Sequence, residues 1–250
     1  MEFSLKDKVA LITGASRGIG EATAMGLARA GADLAIVSRK LPDLEKVAED
    51  VRKIGRKCLP VQAHLGKAEE IDQLVKKVLE EFRKIDILVN NAATNPTMAQ
   101  AIDVDERAWD SVMNLNLKGL FFLSQAVARV MREKGGGKMI NVSSSAGTTP
   151  DILPLYSISK AGVNMATKVM AQQWAKYNIR VNAIAPGLTK TRFSEALWKN
   201  PDILKMAMVK TPLGRPAEPV EMVGAIIYLA SDASSYVTGQ IIGVDGGMTI

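Results

Sequence analysis

Tyr156 and Lys160 stand four residues apart in Tyr156-Ser157-Ile158-Ser159-Lys160. At 3.6 residues per helical turn, this spacing puts a phenol and an ammonium on one side of a helix. A free phenol titrates at about 10 and needs help to trade protons near neutrality. A neighbouring positive charge supplies it by favouring the phenolate. Ser143, Ser144 and Ser145 lie upstream. Alone, the pair also describes an ordinary solvated helix edge, so its meaning depends on what accompanies it.

The first companion is Gly14-Ala15-Ser16-Arg17-Gly18-Ile19-Gly20, which follows an apolar run and opens a helix expected from about Ile19 to Ala30. Glycines there let backbone N–H groups approach a pyrophosphate, and the helix N-terminus adds partial positive charge. The spacing is a variant of the usual dinucleotide fingerprint. An NAD site usually ends its second strand with an acid for the ribose 2′-hydroxyl. Here Leu34-Ala35-Ile36-Val37-Ser38-Arg39-Lys40 offers Ser38 and Arg39 and no acid, and Arg17 can reach the same space. An arginine fork suits a phosphate, so NADP(H) is favoured over NAD(H). The competing reading is that Arg39 and Lys40 only face solvent.

These residues need a frame. Short β-rich runs at 9–12, 34–37, 58–61, 85–89, 138–142, 179–184 and 240–244 alternate with helix-period stretches. One such stretch, Ala68 to Phe82, repeats apolar Ile71, Leu74, Val75, Val78 and Leu79. Strand–helix–strand repetition with right-handed crossovers implies an α/β fold, a doubly wound parallel sheet of seven strands flanked by helices. The whole chain, 1–250, reads as a single domain. Pro186 to Pro219 breaks the rhythm with five prolines, two glycines and apolar Phe193, Leu197 and Trp198 at helix spacing. We expect a lid insertion at about 187–215. A helix packed shut on the core is the alternative.

Bulk properties narrow the classes. The 250 residues carry a net charge of +6, but lysines and arginines are interleaved with acids, as in 45–53. With 5% aromatic residues no base-stacking platform is visible, so nucleic acid is not an expected partner. No apolar run reaches membrane-spanning length, and residues 1–8 lack the order of a signal peptide. The single cysteine, Cys58, excludes an internal disulfide and reads as a buried structural thiol. The expected location is the cytoplasm.

Taken in order, Thr13 to Gly20, Asn90-Asn91-Ala92-Ala93, Asn116-Leu117-Lys118-Gly119, Asn141 to Gly147, Tyr156 to Lys160, Ala185-Pro186-Gly187 and Val244-Asp245-Gly246-Gly247 resemble the short-chain dehydrogenase/reductase family over essentially the whole chain. The resemblance implies a Rossmann-type fold and hydride transfer between a nicotinamide and a carbinol or carbonyl carbon. It implies Tyr156 as acid/base and Lys160 as the group that depresses its pKa and binds the nicotinamide ribose. Ser144 would hydrogen-bond the reacting oxygen, and Asn116 would hold a relay water. On the cofactor side it implies Gly14, Ser16, Arg17, Gly18, Ile19, Gly20, Ser38, Arg39, His64, Leu65, Asn91, Ala92, Pro186, Gly187, Thr189 and Thr191. Thr94, Asn95, Ser145, Phe193, Leu197 and Trp198 would line the substrate pocket. No metal is expected. A homotetramer is implied, using two long helices and the last strand.

Two departures stand out: Ala93 where the family usually has glycine, and His64 where an aspartate commonly contacts adenine. For this only histidine, adenine contact or a plain loop residue is expected. Ser-Arg-Lys at 38–40, Asn-Ala-Ala-Thr-Asn-Pro at 91–96 and the run from Ala185 to Trp198 resemble the NADPH-dependent carbonyl (retinal) reductase branch, without its C-terminal peroxisomal tripeptide. That likeness implies bulky apolar or aromatic carbonyl substrates. A 3-oxoacyl carrier-protein reductase and an NAD-dependent alcohol dehydrogenase are the alternatives within this chemistry. A dinucleotide-sensing regulator without turnover is the alternative outside it.

Overall fold

The computed structural model describes residues 3–250. Seven strands run β1 (Val9–Thr13), β2 (Asp33–Ser38), β3 (Cys58–Gln62), β4 (Ile87–Asn90), β5 (Gly137–Val142), β6 (Ile179–Pro186) and β7 (Ile241–Val244). They form one sheet in the order β3-β2-β1-β4-β5-β6-β7, and each neighbouring pair is parallel. The chain crosses from β3 back to β4 beside β1, so the winding reverses there and leaves a crevice at the carboxyl ends of the strands. This is the expected doubly wound α/β sheet.

Alternate residues of each strand face opposite layers, which gives the sheet two cores. Ala10, Ile12, Leu34 and Ile36 pack with α1 (Gly18–Arg29), α2 (Leu41–Lys53) and α9 (Val223–Ala230) through Leu27, Leu44 and Ile226. Leu11, Ala35 and Val37 face the other way, against α3 (Ala68–Phe82), α5 (Leu120–Glu133) and α6 (Pro154–Trp174) through Leu74, Leu123 and Val163. The strands therefore read as continuous apolar runs, as both-face burial requires.

One strand boundary differs from expectation, and two further details shape the elements around the crevice. Ile85 and Asp86 lie before β4, because Asp86 turns its carboxylate to accept from the Val9 N–H at 2.8 Å. α4 (Glu106–Met113) runs into α5 through a wider, π-helical turn at Asn114–Gly119, which carries Asn116. Between β6 and α9, the helical parts are α7 (Glu195–Trp198) and α8 (Pro201–Val209), with no helix at 191–194. None of the residues of α7 or α8 is buried.

Candidate active site

The glycine turn sits at the carboxyl end of β1. Gly14 and Gly18 have φ of +66° and +60°, a backbone region that side-chain-bearing residues avoid. A Cβ on Gly20 would run into the Gly14 carbonyl and lie 2.6 Å from Asn91 Nδ2, so that glycine closes the turn onto α1. Asn91 donates to the carbonyls of Thr13 and Gly14 at 3.0 and 3.1 Å and clamps the turn to the end of β4. Arg17, the N-cap of α1, makes no side-chain capping bond, so the first N–H groups of the helix keep their capacity for an anion.

The neighbouring strands end in polar networks. Asn90 donates to Ser124 Oγ and Asn141 Oδ1 at 2.8 and 2.9 Å, and Asn141 donates to Thr167. These buried bonds hold β4, β5, α5 and α6 in fixed relation. At the end of β5, Ser143 points to Asn164 Oδ1 at 2.6 Å and the Lys160 carbonyl, a structural role. Ser144 lines the crevice beside Tyr156.

α6 delivers Tyr156 and Lys160 together. Lys160 is 2% exposed, lies 5.4 Å from the Tyr156 ring centroid, and donates to the Val142 carbonyl at 2.6 Å. Burial pushes its ammonium down to about 8. Burial drives the Tyr156 phenol above its ordinary value, the Ser144 side chain opposes this, and the Asp151 carboxylate adds to it. The largest cause is burial, which disfavours the charged phenolate.

These groups open on one cavity of about 530 Å³, within the range for ligand sites of about 300–1,000 Å³. Its walls join Gly14, Ser16, Arg17, Gly18, Ile19, Ser38, Arg39, Leu65, Asn91 and Ala92 to Ser144, Ser145, Tyr156 and Lys160. Pro186, Gly187, Thr189, Thr191, Phe193 and Leu197 complete the expected set on its wall. Phe193 stacks at a tilt on Tyr156, with centroids 5.6 Å apart.

Six expected residues lie off the cavity wall. Gly20 is consumed in closing the turn. His64 accepts the Gly66 N–H through Nδ1 at 3.2 Å, and its backbone N–H goes to Glu70, which holds it in the loop after β3. Asn116 exchanges hydrogen bonds with the Thr94 backbone at 2.8 and 3.0 Å and donates to Ser159 Oγ at 3.1 Å. That ties Thr94 and Asn116 to α6 beside Lys160 rather than to the cavity. Asn95 turns to the Thr97 carbonyl. Trp198 donates its indole N–H to the Thr191 carbonyl at 3.0 Å and braces the segment from behind.

The cavity also has walls the motifs did not indicate. Lys40 and Asp43 are among them. Asp151, Ile152 and Leu153 come from the loop before α6, and Arg192 and Met248 join them. α8 presents Ile203, Met206, Ala207 and Lys210. Their spacing of three and four residues is the available signal for the last group. Cys58 is buried with its thiol pushed up to about 12, an inert group far from nucleophilic use. Among the described residues no helix is long and apolar enough to cross a membrane, and no cluster of three metal-ligating side chains occurs.

Comparison with known proteins agrees with this layout. The chain is 42% identical over 247 residues to 2-dehydro-3-deoxy-D-gluconate 5-dehydrogenase of Escherichia coli, covering 98% of this chain and 96% of the relative. It is 38% identical over 244 residues to Dehydrogenase/reductase SDR family member 4 of Oryctolagus cuniculus, covering 97% and 94%. Among solved structures, a protein provisionally assigned as an NAD(P)-dependent gluconate 5-dehydrogenase from Beutenbergia cavernae, with bound NADP at low occupancy, superposes with a TM-score of 0.94. It shares 34% identity, with 99% of each chain covered. A family model described as "Enoyl-(Acyl carrier protein) reductase" matches residues 14–249, and the chain belongs to the short-chain dehydrogenase/reductase family, as a dehydrogenase acting on CH–OH/C=O groups.

Proposed function

We propose that this protein transfers a hydride between NADP(H) and a carbonyl or secondary alcohol substrate with a bulky apolar or aromatic body. The observation that carries this is the meeting of Ser144, Tyr156 and Lys160 with the glycine turn on one cavity. The turn fits a dinucleotide on its own geometry, since its crowded glycines and uncapped helix N-terminus suit a pyrophosphate. When bound, the cofactor supplies or accepts the hydride at its nicotinamide ring.

The chain's own groups do the rest. In the reducing direction Tyr156 gives its phenolic proton to the substrate oxygen, and Ser144 donates a hydrogen bond to that oxygen as charge grows. In the oxidising direction the tyrosinate takes the hydroxyl proton. Lys160 has three donors and uses one on Val142, which leaves two for a ribose. Asn116 holds the α6 register through Ser159, as a positioning residue. The 187–215 segment serves as a lid: Phe193, Leu197, Ile203 and Met206 cover the cavity with apolar surface. Arg17, Ser38, Arg39 and Lys40, all lining the cavity, support NADP(H).

A second reading has its own observation. Arg192 and Lys210 line the same cavity, and cations there suit an acidic sugar such as the one for which the Escherichia coli relative is named. A panel of aromatic ketones, 3-oxoacyl thioesters and oxo sugar acids, each tried with NADPH and NADH, separates the readings. Turnover confined to the sugar acids overturns the apolar assignment. Trp109, Phe122, Ile158 and Met165 are exposed on α4, α5 and α6, which supports a homotetramer. A monomer by light scattering would overturn it.

A further inference from the structure

The wall beyond β2 carries two signs of charge. Arg39 and Lys40 follow the strand, and Asp43 comes from the first turn of α2. An acid in a first helical turn is stabilised by the helix dipole and needs no ligand to explain it. Three observations make Asp43 more than that. It lines the cavity. It shares that wall with two cations yet forms no ion pair with any described residue. It also stands where the end of β2 supplies no acid of its own. A free carboxylate accepts hydrogen bonds and gives none, so it suits a ribose hydroxyl and repels a phosphate. The guanidinium of Arg39 and the ammonium of Lys40, which line the same cavity, do the reverse.

We propose that Asp43 is a cofactor-specificity residue: it weakens the hold of Arg39 and Lys40 on a 2′-phosphate and keeps NAD(H) an acceptable ligand. The idea rests on the placement of the adenosine ribose against this wall, as in the function proposed above. Removing the carboxylate sharpens the preference for NADP(H) instead of weakening binding in general.

Fluorescence titration of the full chain with NADPH and with NADH, in the absence of substrate, tests this in wild type, Asp43→Asn, Asp43→Ser and Arg39→Gln. Both Asp43 variants should bind NADPH roughly three- to tenfold more tightly, the scale of one screened charge pair, with NADH unchanged or weaker. The gain should shrink in high salt. An NADPH affinity that stays the same or falls, or an equal tightening of NADH, overturns the role of Asp43. Arg39→Gln is the separate control on the underlying reading. If it loses no NADPH affinity, the phosphate is not at this wall, whatever the Asp43 variants show.

Discussion

Lys160 Nζ donates a hydrogen bond to the Val142 carbonyl at 2.6 Å, inside the protein and at the last residue of β5. The bond joins helix α6 to the strand whose end carries Ser144, so the ammonium fixes both halves of the site. It also comes with a cost of burial, which pushes the ammonium from its ordinary 10.5 down to about 8.

The sign of that cost gives a stability prediction. Between about pH 8 and 10.5 the unfolded chain holds the lysine proton and the folded chain has lost it, so stability rises with pH across that window. Below pH 8 the full penalty applies, about 3 kcal/mol at about 1.4 kcal/mol per unit. Urea midpoints of the cofactor-free protein should therefore climb from pH 8 to 10 relative to Lys160→Met. Parallel profiles for the two proteins would show that Lys160 does not titrate low.

Tyr156→Phe keeps the ring against Phe193 and removes only the phenolic oxygen. Loss of a positioned acid/base costs about 10² to 10⁴ in rate. We expect kcat to fall by at least a hundredfold while the NADPH dissociation constant stays within about threefold. A variant that keeps a tenth of wild-type turnover would remove Tyr156 from the proton transfer.

Much of this was legible in the sequence because each signal is local. The seven strands show as apolar runs, and the glycine turn and the Tyr156/Lys160 pair need only neighbours in the chain to be read. What escaped reading depends on packing. Lys40 and Asp43 reach the cavity because of how α2 leaves β2, and α8 supplies Met206 and Lys210 through its orientation. His64 and Trp198 match motif positions, yet each holds a nearby backbone group through a ring nitrogen. The burial of Tyr156 escaped reading for a similar reason. Helix spacing shows the lysine beside the phenol but not the burial around it.

Asp151 provides a test of that electrostatic balance. Its carboxylate lines the cavity and raises the Tyr156 pKa. Asp151→Asn should lower it, so the pH profile of alcohol oxidation, which needs the tyrosinate, should move to lower pH. Asp151 is exposed, so the difference between the two proteins should fade at high ionic strength. A profile that stays in place at low salt would show that the carboxylate does not act on the phenol.

The base of the 187–215 segment offers the last test. Ser194 is 8% exposed and donates to the Thr189 carbonyl, and its hydroxyl also lies 3.0 Å from Thr191 Oγ1. Trp198 ties the Thr191 carbonyl from the other side. The two side chains form a knot that presents Thr189 and Thr191 to the cavity, next to Gly18. A hydrogen bond of this kind contributes about 0.5–1.5 kcal/mol, and a buried group left unpaired costs about 1–3 kcal/mol. Ser194→Ala leaves the Thr189 carbonyl unpaired in a buried place, whereas after Trp198→Phe the Thr191 carbonyl still has the Ser194 hydroxyl 3.3 Å away. We therefore expect Ser194→Ala to raise the cofactor KM by roughly tenfold and Trp198→Phe by about threefold, with kcat changed less in both. Limited proteolysis should cut both variants faster within 187–215. Equal effects of the two substitutions, or a loss of kcat with KM unchanged, would mean that the knot does not position the cofactor wall.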